Sequence, residues 1–331
     1  MREALERSEA ADAGIVGTVG LTAEDAARIG AALEASKASS TRRVYASAWR
    51  AWEAWCAGRG VPSSPATPVA IAAYLAERAE AGASVSTLDL AVAAIRSQHL
   101  DLGVVDPTVD VGLARVRRGL RRTVGVAPRR TSHPITVQEL RRMVTRLDRS
   151  TPTDARDAAL LLVGYASALR RSELAKLTTT NLEWRPNGLL LTIERSKGDQ
   201  DGRGQVVAVA RGQHLETDPV SALHRWLALR GRTDGPLFTQ IRRGGHVTET
   251  GLSGAAIAQV IRSRSVEAGL GDLRVSGHSL RSGHATAAAE AGVGVDRIAA
   301  QTRHKRIDTL IEHYVRPAEL LATTSSAGIG L

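Results

Sequence analysis

Between Gly277 and Pro317 the chain carries a His-Ser-Leu-Arg group (His278 to Arg281), a basic Arg-His-Lys-Arg group (Arg303 to Arg306), and Tyr314 within Ile311 to Pro317. Tyrosine is scarce, with 4 in 331 residues. Splitting a phosphodiester without metal takes a nucleophile, cationic donors for the non-bridging oxygens, and an acid for the leaving alkoxide. The Tyr314 phenol fits the first task. Arg281 and an upstream arginine, Arg170, fit the second, because a guanidinium fork holds two phosphate oxygens at once. His278 and Arg281 stand three positions apart, so on a helix they share a face and can address one phosphate. A helix starting at His278 adds the positive potential of its N-terminus. Arg170 is followed three residues later by Glu173, at the end of an apolar stretch.

These residues need elements to hold them. Asp154 to Leu169 reads as a helix buried on most sides (Ala158, Leu161, Leu162, Tyr165) that delivers Arg170 at its C-terminal end. Thr136-Val137-Gln138-Glu139 is a capping box ahead of Leu140, Met143, Val144 and Leu147. After Asn181 the period changes to two: Leu189, Leu191 and Ile193 predict one strand and Val206 to Val209 another, joined as a hairpin through Ser196 to Gly204. Lys197 stands at the start of that turn, the only lysine between Lys176 and Lys305. Asp218-Pro219 and Ser253 open further helices, and the His278 helix runs to Glu290.

The N-terminal part is helical in pattern. Thr22 with Asp25 caps a helix to about Ser36, after a short arm. From Ser40 to Thr123 four helices follow, the first with Tyr45, Trp49, Trp52 and Cys56 on one face, which predicts packing rather than base stacking. The last runs into Arg115, Arg117, Arg118, Arg121, Arg122, Arg129 and Arg130, with no acid between Val111 and Val137. Charges this dense are best tolerated against a polyanion, so these seven are the candidate DNA-binding residues. Gly125, Pro128 and Pro134 give residues 124–134 the composition of a linker. The expected division is an arm over 1–36, a helical domain over 37–123, the linker, and a second domain over 135–331.

Composition agrees with a nucleic-acid partner. Lys plus Arg number 44 against 34 acids, a formal charge of +10, and the sequence pI of 10.6 exceeds the value of about 9 that flags nucleic-acid binding. Aromatic residues make up 3 %, too few for stacking platforms to dominate the contacts. Cys56 is the single cysteine, which excludes an internal disulfide framework and multi-cysteine zinc sites and predicts a reducing, cytoplasmic setting. His284 and His313 could join His278 and His304, but no carboxylate or cysteine stands at ligand spacing, so no metal and no cofactor are expected. No run reaches the roughly 18 apolar residues a membrane span takes, and no membrane partner is expected.

Taken in order, Leu169-Arg170-Arg171-Ser172-Glu173, a hairpin lysine, His-x-x-Arg, His and Tyr resemble the catalytic series of the tyrosine recombinase, or phage integrase, family. The helical, basic segment from Ser40 to Thr123 is similar to that family's core-binding domain. The resemblance implies a mainly α fold: an N-terminal four-helix, SAM-like core-binding domain, then a mostly α catalytic domain with a small antiparallel sheet, the two closing as a C-shaped clamp on duplex DNA. It implies that Arg170 and Arg281 hold the scissile phosphate, that Glu173 buttresses them and that Lys197 protonates the 5′-oxygen. His278 would assist proton transfer, His304 would donate to the phosphate, and Tyr314 would form a 3′-phosphotyrosyl link. A homo-tetramer on double-stranded DNA carrying a specific site, associated with the nucleoid, would exchange strands. The apolar tail residues Ala318, Leu320 and Leu321 would couple the protomers. Strand swivelling of the type IB topoisomerase kind, or DNA binding without chemistry, are the alternatives. His304 lies one residue further from Tyr314 than the family's usual spacing, which puts Lys305 at the usual position and leaves His304 and Lys305 as rivals for the donor role. Arg171, Arg303 and Arg306 are expected as DNA-backbone or surface charges.

Overall fold

Ser, Thr and Asp at helix starts do much of the local work in this chain, because a short side-chain oxygen satisfies amides the first turn leaves open. The computed structural model describes residues 22–35, 37–125, 132–194, 204–304 and 307–311. It divides into two compact units, one up to Arg129 and one from Arg130.

In the first unit, α1 (Ala23–Ala35) follows Thr22, which exchanges hydrogen bonds with Asp25. Four further helices follow: α2 (Ser39–Arg59), α3 (Pro68–Glu80), α4 (Val85–Asp101) and α5 (Val111–Val124). Thr67, Ser84 and Asp110 cap α3, α4 and α5. The aromatic face of α2 packs inward: Trp52 and Cys56 are buried with Ile71, Leu75, Ile95 and Leu113. The Trp52 ring stacks on Trp55 at 5.4 Å and meets the Tyr74 edge at 5.2 Å.

The second unit is built around α7 (Pro152–Ala166), buried from Ala155 to Gly164. Its neighbours are α6 (Val137–Thr145), entered through the Thr136–Glu139 capping box, α9 (Pro219–Arg230), capped by Asp218, and α11 (Ser279–Glu290). A one-turn helix, α8 (Arg171–Leu174), follows α7. Strands β1 (Leu182–Arg185), β2 (Gly188–Ile193) and β3 (Gln205–Ala210) form an antiparallel sheet in that order, with Leu189 opposite Val209 and Leu191 opposite Val207. Those four are buried and Val206 is exposed, which is the period-two pattern made physical. A second, two-stranded sheet joins β4 (Thr239–Ile241) to β5 (Val247–Gly251). Helix α10 (Gly254–Glu267) precedes α11, and α12 (Val295–Thr302) and α13 (Ile307–Leu310) follow it.

The fold is therefore mainly α with small antiparallel sheets, as expected. Two details differ. The helix expected to reach Leu169 stops at Ala166, because Ala168 takes a left-handed backbone (φ 49°) and turns the chain. The β4–β5 pair was not foreseen, since Thr-Gln-Ile and Val-Thr-Glu-Thr-Gly carry little apolar alternation, nor was β1, whose Leu-Glu-Trp-Arg alternates over only 4 residues.

One close approach sets the seat of α11. A Cβ added at Gly283 would lie 2.0 Å from the Ile135 carbonyl oxygen, so only glycine lets the helix ride on this segment. Beside it, the Ile135 amide donates to Ser279 O at 3.1 Å. Residues 133–135 thus fix the start of the helix that carries His278 and Arg281.

Candidate active site

The turn after α7 supplies the first guanidinium. Arg170 is the N-cap residue of α8 rather than the last residue of the preceding helix. Its amide donates to Glu173 Oε2 at 2.8 Å and its Nη1 donates to Glu173 Oε1, also at 2.8 Å. The Glu173 side chain is 2 % exposed. Burial alone would raise its pKa, but Arg303 and the two donors of Arg170 outweigh that and hold the carboxyl below its ordinary value.

Helix α11 supplies the second. Arg281 is 1 % exposed. Its Nη1 donates to the carbonyl of Ala168, the left-handed residue beyond α7, at 2.9 Å, and its Nη2 lies 3.5 Å from His304 Nε2. His278 is the N-cap residue of α11 and is exposed at the surface. Desolvation by neighbouring protein atoms, then the charges of Arg281 and Arg170, hold its imidazole below the ordinary histidine value. It is therefore neutral at physiological pH and able to accept a proton.

His304 follows α12. Its Nδ1 lies 2.7 Å from Thr302 Oγ1, and Thr302 donates its one hydroxyl proton to Ile298 O at 2.6 Å. That proton being committed, Nδ1–H must donate to the hydroxyl, which leaves a lone pair on Nε2 facing Arg281. Burial first, then Arg281, Arg170, His278 and Arg303, push His304 down to about 4. Without a bound anion its Nε2 is an acceptor.

The structure thus brings Arg170, Glu173, His278, Arg281 and His304 together from three separate stretches. Lys197, Lys305, Tyr314 and the tail residues Ala318, Leu320 and Leu321 lie outside the described residues, as do Arg129, Arg130 and Arg306. Arg171 is exposed, as expected. Arg303 is not the surface or DNA-backbone charge the sequence suggested: its side chain is 6 % exposed and its Nη2 donates to Glu173 Oε2 at 2.6 Å. A carboxylate distant in sequence explains its burial, which no local pattern announces. Sequence reasoning also missed Thr302.

In the first unit, Arg115, Arg118, Arg121 and Arg122 are exposed on α5. Arg117 is half-buried and pairs with Asp89 of α4 at 3.0 Å, and Arg121 reaches the same carboxylate at 3.5 Å. The acid missing from the local sequence is thus supplied by the neighbouring helix. Among the described residues no helix is long and apolar enough to cross a membrane.

Two buried-to-half-buried guanidinium groups and two neutral imidazoles, gathered at helix ends in a mainly α unit, define a site for an oxyanion and for proton transfer beside it. The family comparison agrees. Residues 134–320 match the phage integrase family model, and the chain belongs to that family: it is a tyrosine recombinase, an enzyme of DNA strand transfer. It is 33 % identical over 291 residues to an integrase/recombinase xerD homolog of Selenomonas ruminantium, a match covering 87 % of this chain and 84 % of that protein. It is 25 % identical over 236 residues to the recombinase cre of Escherichia phage P1, covering 66 % of each. Among solved structures, lambda integrase residues 75–356 bound to DNA match with a TM-score of 0.52 at 16 % identity, over 95 % of both chains. XerH site-specific recombinase bound to palindromic difH substrate matches at 0.53 and 16 % identity, over 78 % of this chain and 72 % of that one. At these identities the structural matches speak for the fold.

Proposed function

We propose that this chain is a site-specific recombinase that holds the scissile phosphate of duplex DNA between Arg170, Arg281 and His304 and attacks it with Tyr314. The Tyr314 oxygen bonds to phosphorus and the bond from phosphorus to the 5′-oxygen breaks. Lys197 gives its proton to that oxygen, and the phenolic proton passes to His278, which is neutral and exposed. The 3′-phosphotyrosyl link keeps the energy of the broken ester, so rejoining to a new strand needs no ATP. Two rounds within a homo-tetramer, working in the nucleoid on paired copies of one site, exchange the strands. The exposed arginines of α5 would lie on the DNA backbone, where they add affinity without reading sequence.

The observation that carries this reading is the burial of Arg281, 1 % exposed, beside His304. Arg170 is close enough for its charge to depress both histidines. Cationic donors fixed in advance are what charge developing on a phosphoryl group requires.

The test is covalent capture. The protein is incubated in EDTA with sheared genomic DNA of its source, and SDS-stable adducts are recovered and sequenced to give the site. A nicked suicide duplex bearing that site should then trap the wild type and leave Tyr314→Phe free. An adduct that survives Tyr314→Phe overturns the assignment. Joined products from two differently labelled duplexes separate strand exchange from swivelling on one duplex.

A further inference from the structure

We propose that Arg303 is a positioning residue of this site, locking the His304 turn onto the Arg170 helix end through the second oxygen of Glu173. The proposal rests on the strand-transfer reading above.

Of the four consecutive residues from Gln301 to His304, at the end of α12 and just beyond it, three reach other parts of the second unit and the fourth orients His304. Gln301 Nε2 donates at 2.8 Å both to Ala166 O at the end of α7 and to Ala208 O on β3. Thr302 holds the Nδ1 edge of His304. Arg303 Nη2 reaches Glu173 Oε2 across 130 positions of sequence. His304 Nε2 faces Arg281. The stretch from Gln301 to His304 is therefore not a passive exit from α12, since its side chains tie the helix end and the first turn residues to the phosphate-holding cluster and to its supports.

Arg303 is the member whose presence needs the most explanation. Its backbone is left-handed (φ 54°), the conformation glycine adopts freely and residues with a Cβ avoid. A long charged side chain is kept there nonetheless, and it is buried rather than directed to solvent. The geometry of Glu173 supplies the reason. Oε1 takes the Arg170 guanidinium, and Oε2 takes the Arg170 amide and the Arg303 guanidinium. One carboxylate thus joins the helix end that carries Arg170 to the turn that carries His304. Arg281 bridges the same two segments by touching Ala168 O and His304. The Arg303 link adds a short charged tie to the 3.5 Å contact from Arg281 and the backbone anchors of Gln301 in keeping His304 in register with Arg170. A misplacement of about 1 Å at such a site costs on the order of 100-fold in rate.

The test uses the full chain, the captured suicide duplex under single turnover, duplex affinity and thermal melting. Arg303→Gln should cleave on the order of 10- to 100-fold more slowly with affinity little changed. Arg303→Gly relaxes the left-handed turn, so it should fold at least as well as Arg303→Gln and yet lose the same rate. Arg303→Lys keeps the charge and should recover part of it. Because Arg303 is one of the charges holding His304 low, the alkaline limb of the cleavage pH profile, where the complex loses the His304 proton that donates to the phosphate, should move to higher pH in Arg303→Gln. Since the effect runs through Glu173, Glu173→Gln combined with Arg303→Gln should be no slower than Glu173→Gln alone. Wild-type cleavage by Arg303→Gly, or fold-losses that multiply in the double variant, would overturn the proposal. If Arg303→Gln fails to melt cooperatively, Arg303→Gly and Arg303→Lys decide by the same criteria. A wild type that gives no Tyr314-dependent adduct sinks the strand-transfer reading and this proposal with it. A wild type that gives the adduct alongside an equally fast Arg303→Gln sinks only this proposal.

Discussion

His304 should make the free enzyme sensitive to acid and, if it meets the phosphate as proposed, couple DNA binding to a proton. Folded, it sits at about 4; in the unfolded chain it returns to about 6.5. Because the folded value is the lower one, the unfolded chain takes up its proton first as pH falls. The stability linked to this group is therefore fully present above about pH 6.5 and is lost between there and pH 4. The gap is worth about 3 kcal/mol over the whole window, a large share of the 5–15 kcal/mol typical of a folded protein. His278 is also depressed and adds to the same slope. The variant His304→Gln isolates the first contribution. Urea unfolding of wild type and variant at pH 7.5 and pH 4.5 should show the wild type losing about 2–3 kcal/mol more than the variant. A loss equal in both would refute the argument, because it would mean His304 is not held neutral by its burial and the surrounding guanidinium groups.

DNA should reverse the effect. A phosphate monoanion about 4 Å from the imidazole contributes about 4 kcal/mol toward the charged form at an effective dielectric of about 20. That is enough to offset the depression, so in the complex His304 should titrate much like an ordinary histidine. Nε2 then gains the proton it needs to donate to a phosphate oxygen, while Nδ1–H stays on Thr302. Calorimetry at pH 6 in two buffers of different ionisation enthalpy should register proton uptake on binding the captured duplex, and less uptake for His304→Gln. Zero uptake by the wild type would refute this half.

Other substitutions separate the supports from the chemistry. Gly283→Ala places a methyl 2.0 Å from Ile135 O, which neither helix nor strap can absorb without moving, so about 3 kcal/mol of stability should go and melting should drop by about 6–12 °C. Calorimetric melting reads it, and an unchanged Tm would mean that α11 does not ride where the structure places it. Arg118→Ala and Arg122→Ala should each weaken duplex binding alike on any sequence and lower the slope of log affinity against log salt by about 0.9. Arg117→Ala should lower it less, because Asp89 already engages that charge.

The sequence was most legible where the signal is local. Thr136 with Glu139, Asp218 before Pro219, and the alternation of Leu189, Leu191 and Ile193 are decided within a few residues, and the structure follows them. The order Arg170, Glu173, His278, Arg281, His304 was readable as a family series, and those five side chains do converge. What could not be read is which charge answers which. Asp89 is remote in sequence from the arginines of α5, and Glu173 is remote from Arg303, yet these acids pair with Arg117, which is half-buried, and with Arg303, which is buried. A run of basic residues looks uniform in one dimension, and folding sorts it by the distant acids it meets.

That sorting bears directly on the choice between His304 and Lys305. Spacing to Tyr314 favours the lysine, but spacing counts residues along a loop, whereas the phosphate responds to position in space. Among the described residues, the Thr302 hydroxyl, the Arg303 link to Glu173 and the Gln301 anchors, which orient His304, lie N-terminal to it. They fix the ring without reference to how many residues separate it from the nucleophile. An extra residue between His304 and Tyr314 is therefore expected to leave the imidazole on Arg281. On this argument His304→Ala should slow cleavage of the captured duplex on the order of 100-fold, and Lys305→Ala much less. The reverse ranking would show that the family spacing, rather than the anchored turn, selects the donor.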